Sequence, residues 1–379
     1  MPVFVDRAKL SSSHLPNKLI HREKEKQLLT NLILSGVERS SDSFVAKAVI
    51  IGGVGAGKTT LCLMVGREIE RTHKETKHLY VNLRRFSTSR VSIYRHIVKT
   101  ISPEAYSPSL SAEELLENLL LSLKQSREKL FVTFDDADYH VSASRGRETI
   151  IYEFTRLHEI SDTRPINVVA VVFVFRDQSY GKLLDRPEIS SLGANVVSLP
   201  PYNKQQIFDI ISERADEAFR KGAVSHDVLE FVAEIVSEPP YSGDVRFALD
   251  LLLYAGNIAE SRGLDVVKID DVRRAVSESS YSFSVAELAE LPERMKAVLL
   301  SVAKSVLRMN TSSAAVAEVR KTYEMFCEIH GLPGSGFEKA LKQLALLGYV
   351  RMLDGGNVEL LRVDARRLIE VLGKLLKNG

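Results

Sequence analysis

Three runs of the chain are apolar at nearly every position: Val45–Ile51, Leu130–Phe134 and Val168–Phe175. Runs this short and this uniform read as strands buried on both faces, the pattern of a parallel sheet covered by helices. The segment Thr60–Arg71, directly after the first run, reads as a helix. Strands alternating with helices predict an α/β fold whose ligand lies at the carboxyl ends of the strands. From 204 to 280 the pattern changes to helical spacing alone. Ile207, Ile210, Ile211 and Ala215 share one face, as do Val228, Phe231, Val232 and Ile235, and Asp270-Asp271 open a further helix.

A linker near 280–291 separates a third pattern. Arg294–Val306 is amphipathic, Ala314–Ile329 reads as a second helix ended by Gly331–Gly334, and Phe337–Leu347 reads as a third. Gly348–Leu353 and Val358–Val363 read as strands joined by Asp354-Gly355-Gly356-Asn357, which is hairpin chemistry. Three helices followed by a hairpin predict a winged helix, with its third helix in a DNA major groove. The expected organisation is a base at 1–203, an all-helical lid at 204–283 and a winged-helix domain at 290–379.

The chemistry enters between the first strand and its helix. Gly52-Gly53-Val54-Gly55-Ala56-Gly57-Lys58-Thr59 fits G-x-x-x-x-G-K-[ST] at every fixed position, in the strand–loop–helix setting the motif requires. Successive backbone N–H groups in such a loop turn inward around a phosphate chain. Lys58 adds a cation at the β- and γ-phosphates, Thr59 is placed to ligate Mg²⁺, and Thr60 continues the helix start. The second apolar run ends in Asp135-Asp136. Asp135 is the expected Mg²⁺-organising residue, with Thr59, and Asp136 the expected water-orienting one. The third run leads into Arg176, the first polar residue there that can face the γ-phosphate. ATP or ADP with Mg²⁺ is therefore the expected cofactor.

Composition narrows the setting. The 379 residues carry 51 Lys and Arg against 49 Asp and Glu, so any basic surface must be local. Two cysteines, Cys62 and Cys327, are too few for a disulfide framework or a zinc site, and they suit a reducing, intracellular, cytoplasmic protein. The first nine residues do not read as a signal peptide, and no apolar run is long enough to span a bilayer. Two local basic stretches stand out. Arg84, Arg85, Arg90, Arg95 and Lys99, with Tyr94 among them, follow a strand. Lys339 and Lys342 lie i,i+3 on the third helix of the C-terminal unit, whose residues 291–379 hold 14 Lys and Arg against 9 Asp and Glu. The wing tip carries Asp354 and no cation, which leaves a protein-interaction role for this unit open.

Several further blocks occur in a recognisable order. They are Leu19-Ile20-His21-Arg22-Glu23, Tyr80-Val81-Asn82 with Arg84-Arg85, Tyr152–Glu159, Leu199-Pro200-Pro201-Tyr202, and Gly243-Asp244-Val245-Arg246-Phe247-Ala248-Leu249-Asp250. In order and spacing the chain resembles archaeal replication initiators of the origin-recognition/Cdc type, a branch of the AAA+ ATPases. The resemblance implies an AAA+ P-loop base, a lid that closes over nucleotide, and binding of double-stranded DNA at a replication origin. A paralogous initiator subunit and the replicative helicase are the implied protein partners, with no membrane involved and the protein nucleoid-associated. It also implies that Leu19, Ile20, His21 and Arg22 lie near the adenine, with Tyr202 and Ile210 at the lid entry and Arg246 on the phosphates. His21 reads equally as a cap or surface residue.

Three departures mark the catalytic positions. Asp136 stands where the family has Glu, Arg176 where it usually has Asn, and Pro187-Glu188 disturb the region of the trans-acting arginine, for which Arg186 is the nearest residue. Nucleotide binding with slow hydrolysis is the expectation. The alternatives are a nucleotide-switched transcription or plasmid-maintenance regulator, and a paralogue that binds nucleotide statically.

Overall fold

A computed structural model of the chain describes residues 2–39, 44–86, 89–144, 149–176, 179–239, 241–278, 288–289, 291–309, 311, 313–331, 333–347, 349–353, 355–361 and 365–376. It divides into two compact units, Leu15–Pro201 on one hand and Met1–His14 with Tyr202–Gly379 on the other. No described helix is long and apolar enough to cross a membrane.

The first unit runs α1 (Glu23–Glu38), β1 (Ala46–Gly52), α2 (Lys58–Thr72), β2 (Thr76–Asn82), α3 (Arg90–Ile101), α4 (Ala112–Ser126) and β3 (Lys129–Asp135). It continues with α5 (Ala137–Ser144), α6 (Ile150–Thr155), α7 (Leu157–Ile160), β4 (Val168–Phe175), α8 (Tyr180–Leu183), α9 (Arg186–Leu192) and β5 (Val196–Leu199). The five strands form one parallel sheet in the order β2-β3-β4-β1-β5. β4 is buried at every position because it is central and covered on both faces. Its side chains alternate: Val171, Phe173 and Phe175 join the core under α3 and α4, while Val172 and Val174 join the core under α1 and α2. β4 separates β1 and β3, the two strands that lead to the P-loop and to Asp135. The block Tyr152–Glu159 is not one helix. Backbone N–H groups of Arg156 and Ser161 close two short turns, α6 and α7, instead.

In the second unit, α10 (Lys204–Ala218), α11 (His226–Ser237), α12 (Val245–Ser261) and α13 (Ile269–Glu278) form the lid. The predicted apolar faces are buried, Ile207 and Ile211 on α10 and Val228, Phe231, Val232 and Ile235 on α11. Residues 2–14, expected in the base, fold onto these helices instead. Val3, Phe4 and Leu10 enter the lid core, Phe4 stacks on Phe219 at 4.7 Å, and the Val5 N–H donates to the Ala218 carbonyl at 2.8 Å.

The winged helix comprises α14 (Glu293–Met309), β6 (Ser313–Ala315), α15 (Val316–His330), α16 (Phe337–Leu346), β7 (Val350–Leu353), β8 (Asn357–Leu360) and α17 (Ala365–Leu375). The second helix starts two residues later than its apolar pattern suggests, because residues 313–315 pair with β8 and complete a three-stranded sheet. The hairpin turn has positive φ at Gly355 and Gly356, a conformation that glycine adopts without strain. Asp354, Gly348, Arg362, Val363 and most of the expected linker lie outside the described residues.

One histidine of the sheet makes a pH prediction. His78 in β2 lies over Gly66, where any Cβ would overlap its ring, stacks on Phe131 at 4.4 Å and shares a 2.9 Å hydrogen bond with Thr133. Burial pushes its pKa down to about 4. The neutral form is therefore the native one. An unfolded chain takes up this proton as pH falls through the ordinary histidine value, and the folded chain only near the depressed one. The stability it contributes is present above about pH 6.5 and is lost on acidification towards its folded pKa. Urea unfolding at about pH 7 and about pH 5 should show wild type losing roughly 2 kcal/mol more than His78→Phe. Equal losses in the two proteins would remove His78 as the cause.

Candidate nucleotide site

The P-loop connects β1 to α2. Gly55 (φ 69°) and Gly57 (φ 89°) occupy the left-handed region, which an L side chain adopts only with strain, and so the loop can present its N–H groups inward. Gly57 is the N-cap of α2, so the helix begins at Lys58 and aims its unpaired N–H groups at the loop. The Lys58 ammonium donates to the carbonyls of Gly52 at 2.7 Å and Gly53 at 2.8 Å, which holds it across the loop.

Asp135 ends β3, buried beside the loop. It accepts from the Thr59 hydroxyl at 2.8 Å and the Tyr80 hydroxyl at 2.6 Å, while the Asp136 N–H donates to its other oxygen at 2.8 Å. Burial and the adjacent carboxylate raise the Tyr80 pKa, so the phenol stays a donor. Thr59 and Asp135 are thus brought together as the sequence suggests. A hydroxyl and one carboxylate are few ligands, but Mg²⁺ at a nucleotide site takes most of its shell from phosphate and water, so the residues fit that ion. Sequence reasoning missed Tyr80, although its place on the strand beside the acid, in a block already singled out, was the available signal.

Asp136 leaves the strand with φ 56°, a left-handed conformation that Asp tolerates better than most residues. Its carboxylate accepts from the Asn82 amide at 3.1 Å. It also faces Arg84 Nε at 3.6 Å and Arg176 Nη2 at 3.6 Å. Arg176 also pairs with Asp138 at 3.3 Å, and burial raises the Asp138 pKa while Arg176 opposes the rise. The two arginines are 49% and 46% exposed, so water screens these pairs and each is worth about 1 kcal/mol or less. The acid expected to orient water is therefore restrained, but only weakly.

Other expected residues divide sharply. Arg22 is buried. Its guanidinium donates to the Pro200 carbonyl and pairs with Glu25 at 3.4 Å, so it anchors the entry of α1. His21, beside it, has φ 63°, and its N–H donates to Glu23 at 3.1 Å. Leu19 packs partly against the core under α1, and Ile20 is half-buried. Arg186 is exposed at the start of α9, where Asp185 and Glu188 form a capping box and Pro187 occupies the first turn. The two residues that disturb the motif thus serve to start this helix. Tyr202 is buried in the lid core and Ile210 is half-buried on α10. Arg246 is exposed in the first turn of α12, whose N-cap Asp244 accepts from the Phe247 N–H at 3.2 Å.

Of the arginines after β2, Arg84 and Arg85 are exposed, and Arg84 also lies over the Tyr139 ring at 5.1 Å. Arg90 is tied to Glu113 at 2.5 Å and Glu153 at 2.9 Å, and Arg95 donates to the Pro108 carbonyl at 2.9 Å. Those two hold α3 in place and are not free to take a ligand as expected. On α16, Lys339 and Lys342 are exposed, on the shared face their i,i+3 spacing predicts, while Phe337, Ala340, Leu341 and Leu344 are buried.

Residues 47–180 match the AAA domain family, and residues 208–277 match the Cdc6 AAA+ ATPase-type lid domain. The chain is 28% identical to the ORC1-type DNA replication protein 1 of Sulfolobus acidocaldarius, over 88% of this chain and 80% of that one. It is 27% identical to the ORC1-type DNA replication protein of Desulfurococcus amylolyticus, over 99% and 95% of the two chains. In its matched domains and its relatives the chain is similar to the ORC1/Cdc6-type AAA+ replication initiators. Its fold is that of Cdc6p from Pyrobaculum aerophilum, with a TM-score of 0.80, 24% identity and 99% of each chain covered. The Aeropyrum pernix ORC1 protein, solved in complex with DNA, aligns with a TM-score of 0.61 and 25% identity over 98% of this chain and 97% of that one. The AAA domain match makes this a nucleotide-binding protein, and the P-loop lies within the matched residues.

Lys58→Ala should abolish the heat of ADP binding in calorimetry and leave the circular dichroism of the protein unchanged, since the lysine reaches across to carbonyls of its own loop. Asp136→Glu should raise steady-state ATP turnover by about ten- to a hundredfold, the scale of correcting a misplacement of about 1 Å. Unaltered turnover would mean that the length of the side chain does not limit the rate.

Proposed function

We propose that this initiator binds duplex DNA at a replication origin and uses ATP as a bound switch, hydrolysing it slowly. The observation that carries the reading is the course of β2. Tyr80 and Asn82 on this strand bond to the two acids of the nucleotide site, and Arg84 and Arg85 stand exposed directly after it. A phosphate backbone recruited by these arginines lies one strand-end away from the nucleotide. Removing Arg84 from Asp136 costs little, because that pair is screened by water. Mg²⁺ held by Thr59 and Asp135 supplies charge neutralisation at the phosphates, and Arg176 adds positive charge beside Asp136. A cation that stabilises bound ATP and its transition state alike tightens binding without raising turnover.

The winged helix supplies the second DNA surface in this reading, through Lys339 and Lys342 on an exposed helix face. The DNA complex of the similar Aeropyrum pernix ORC1 protein supports it. Arg246 is assigned to nucleotide by the motif resemblance alone, as is Arg186 to a neighbouring subunit. Engagement of a paralogous subunit or a replicative helicase, in the cytoplasm and at the nucleoid, completes the proposal.

DNA binding measured across a salt series, with ATP, with ADP and without nucleotide, tests the reading. Arg84→Ala/Arg85→Ala should lower affinity and reduce the salt slope by about one unit for each phosphate that is no longer neutralised, and Lys339→Ala/Lys342→Ala should do the same. If neither pair changes the slope, both surfaces are wrong.

A further inference from the structure

Within the unit formed by lid and winged helix lies a cavity of about 610 Å³. The lid contributes Arg262, Lys268, Arg273 and Arg274 to its wall, and the winged helix contributes Arg366. Asp227 and Asp270 are the acids that line it among the described residues. Two of the lid's cations are already matched. Arg262 pairs with buried Asp271 at 2.5 Å, and Arg273 pairs with Asp270 at 3.2 Å and Glu359 at 2.6 Å. Lys268 and Arg274 make no ion pair among the described residues, which leaves two unpaired lid cations in the wall against one unpaired acid, Asp227. The first turns of α11 and α13 also open onto it, adding the partial positive charge of helix N-termini to that of the side chains.

We propose that this cavity binds the phosphate groups of a small polyphosphate, and that the ligand thereby bridges lid and winged helix. Several cations converging on one concave space call for a ligand with several negative charges close together, which a di- or triphosphate carries and a single carboxylate does not. The volume falls within the ordinary range for small-molecule sites, about 300–1,000 Å³. A duplex presents its phosphates along a convex rail and does not enter such a recess. No aromatic side chain lines the cavity among the described residues, so no platform exists for stacking a base. Recognition is therefore of phosphate and is indifferent to the base attached. This site is independent of the P-loop and of the DNA surfaces proposed above.

The test uses the full chain with its P-loop saturated by ADP, and in parallel the Lys58→Ala variant. Inorganic tripolyphosphate is titrated in by calorimetry at low salt. One equivalent should bind, and ATP and GTP should compete for it equally well. Lys268→Ala/Arg274→Ala should weaken this binding at least tenfold, with ADP binding at the P-loop unchanged. Lys268→Glu, at an exposed position, should produce the same loss, which keeps the test open where the double variant does not fold. Absence of saturable tripolyphosphate binding, or binding undiminished in both variants, overturns the proposal. So does a fall in DNA affinity of the variants without any tripolyphosphate binding, since the cations would then be DNA contacts.

Discussion

The buried carboxylate of Asp135 is the point on which the nucleotide site depends. A buried charge is costly unless it is hydrogen-bonded, and here three donors satisfy it. They come from the start of α2, from β2 and from the residue after β3. These bonds set the depth of Thr59 relative to the end of β3 and hold three strand ends at one level. The register of the parallel sheet brings them there: Asn82 lies opposite Asp135 in the ladder between β2 and β3, which leaves Tyr80 two residues back on the same face. A phosphate chain in the loop and a metal at Thr59 would both take their geometry from this node.

Directly beside it the arrangement is looser. Asp136 sits in a left-handed conformation and is held by one amide and two screened arginines. Backbone conformations of this kind persist where the surroundings over-determine them, and they cluster at functional positions. The contrast between a tightly satisfied Asp135 and a weakly restrained Asp136 separates the two tasks of the site. The bonds of Asp135 are built into the core, whereas the contacts of Asp136 are ones that other groups can displace.

The lid and the winged helix are joined by a different kind of contact. Arg273 of α13 reaches Glu359 of β8 at 2.6 Å and lies over the Phe231 ring at 5.1 Å, and Arg351 of β7 bonds to Glu234 of α11. Arg273 and Glu359 are nearly buried, and each keeps a second partner, Asp270 for Arg273 and Arg351 for Glu359, so the pair is part of a small charge network. Such a pairing specifies one seating of the hairpin on the lid. It also explains an acidic residue in the middle of a strand whose neighbours are apolar.

What the chain determines by itself is local. The apolar runs located β1, β3 and β4 to within a residue or so, because a strand covered on both faces leaves no polar alternation to misread. The P-loop was legible because its glycines, lysine and threonine act through spacing along one continuous segment. Amphipathic spacing likewise divided the faces of α10 and α11. The tertiary structure decided everything that depends on partners distant in sequence. Arg90 and Arg95 look like Arg84 and Arg85 in a basic stretch, yet Glu113, Glu153 and a loop carbonyl take up the first two and leave the second two exposed. Arg22 belongs to a nucleotide-site motif, and its side chain anchors the chain end of β5. Residues 2–14 carry no periodicity long enough to reveal an element, and only the lid core shows where Val3, Phe4 and Leu10 go. β6 is too short to be read from its own residues and exists because β8 offers it an edge. A sequence records which groups are available, but burial and pairing assign each its work, and both are set by contacts between segments that the linear order does not bring together.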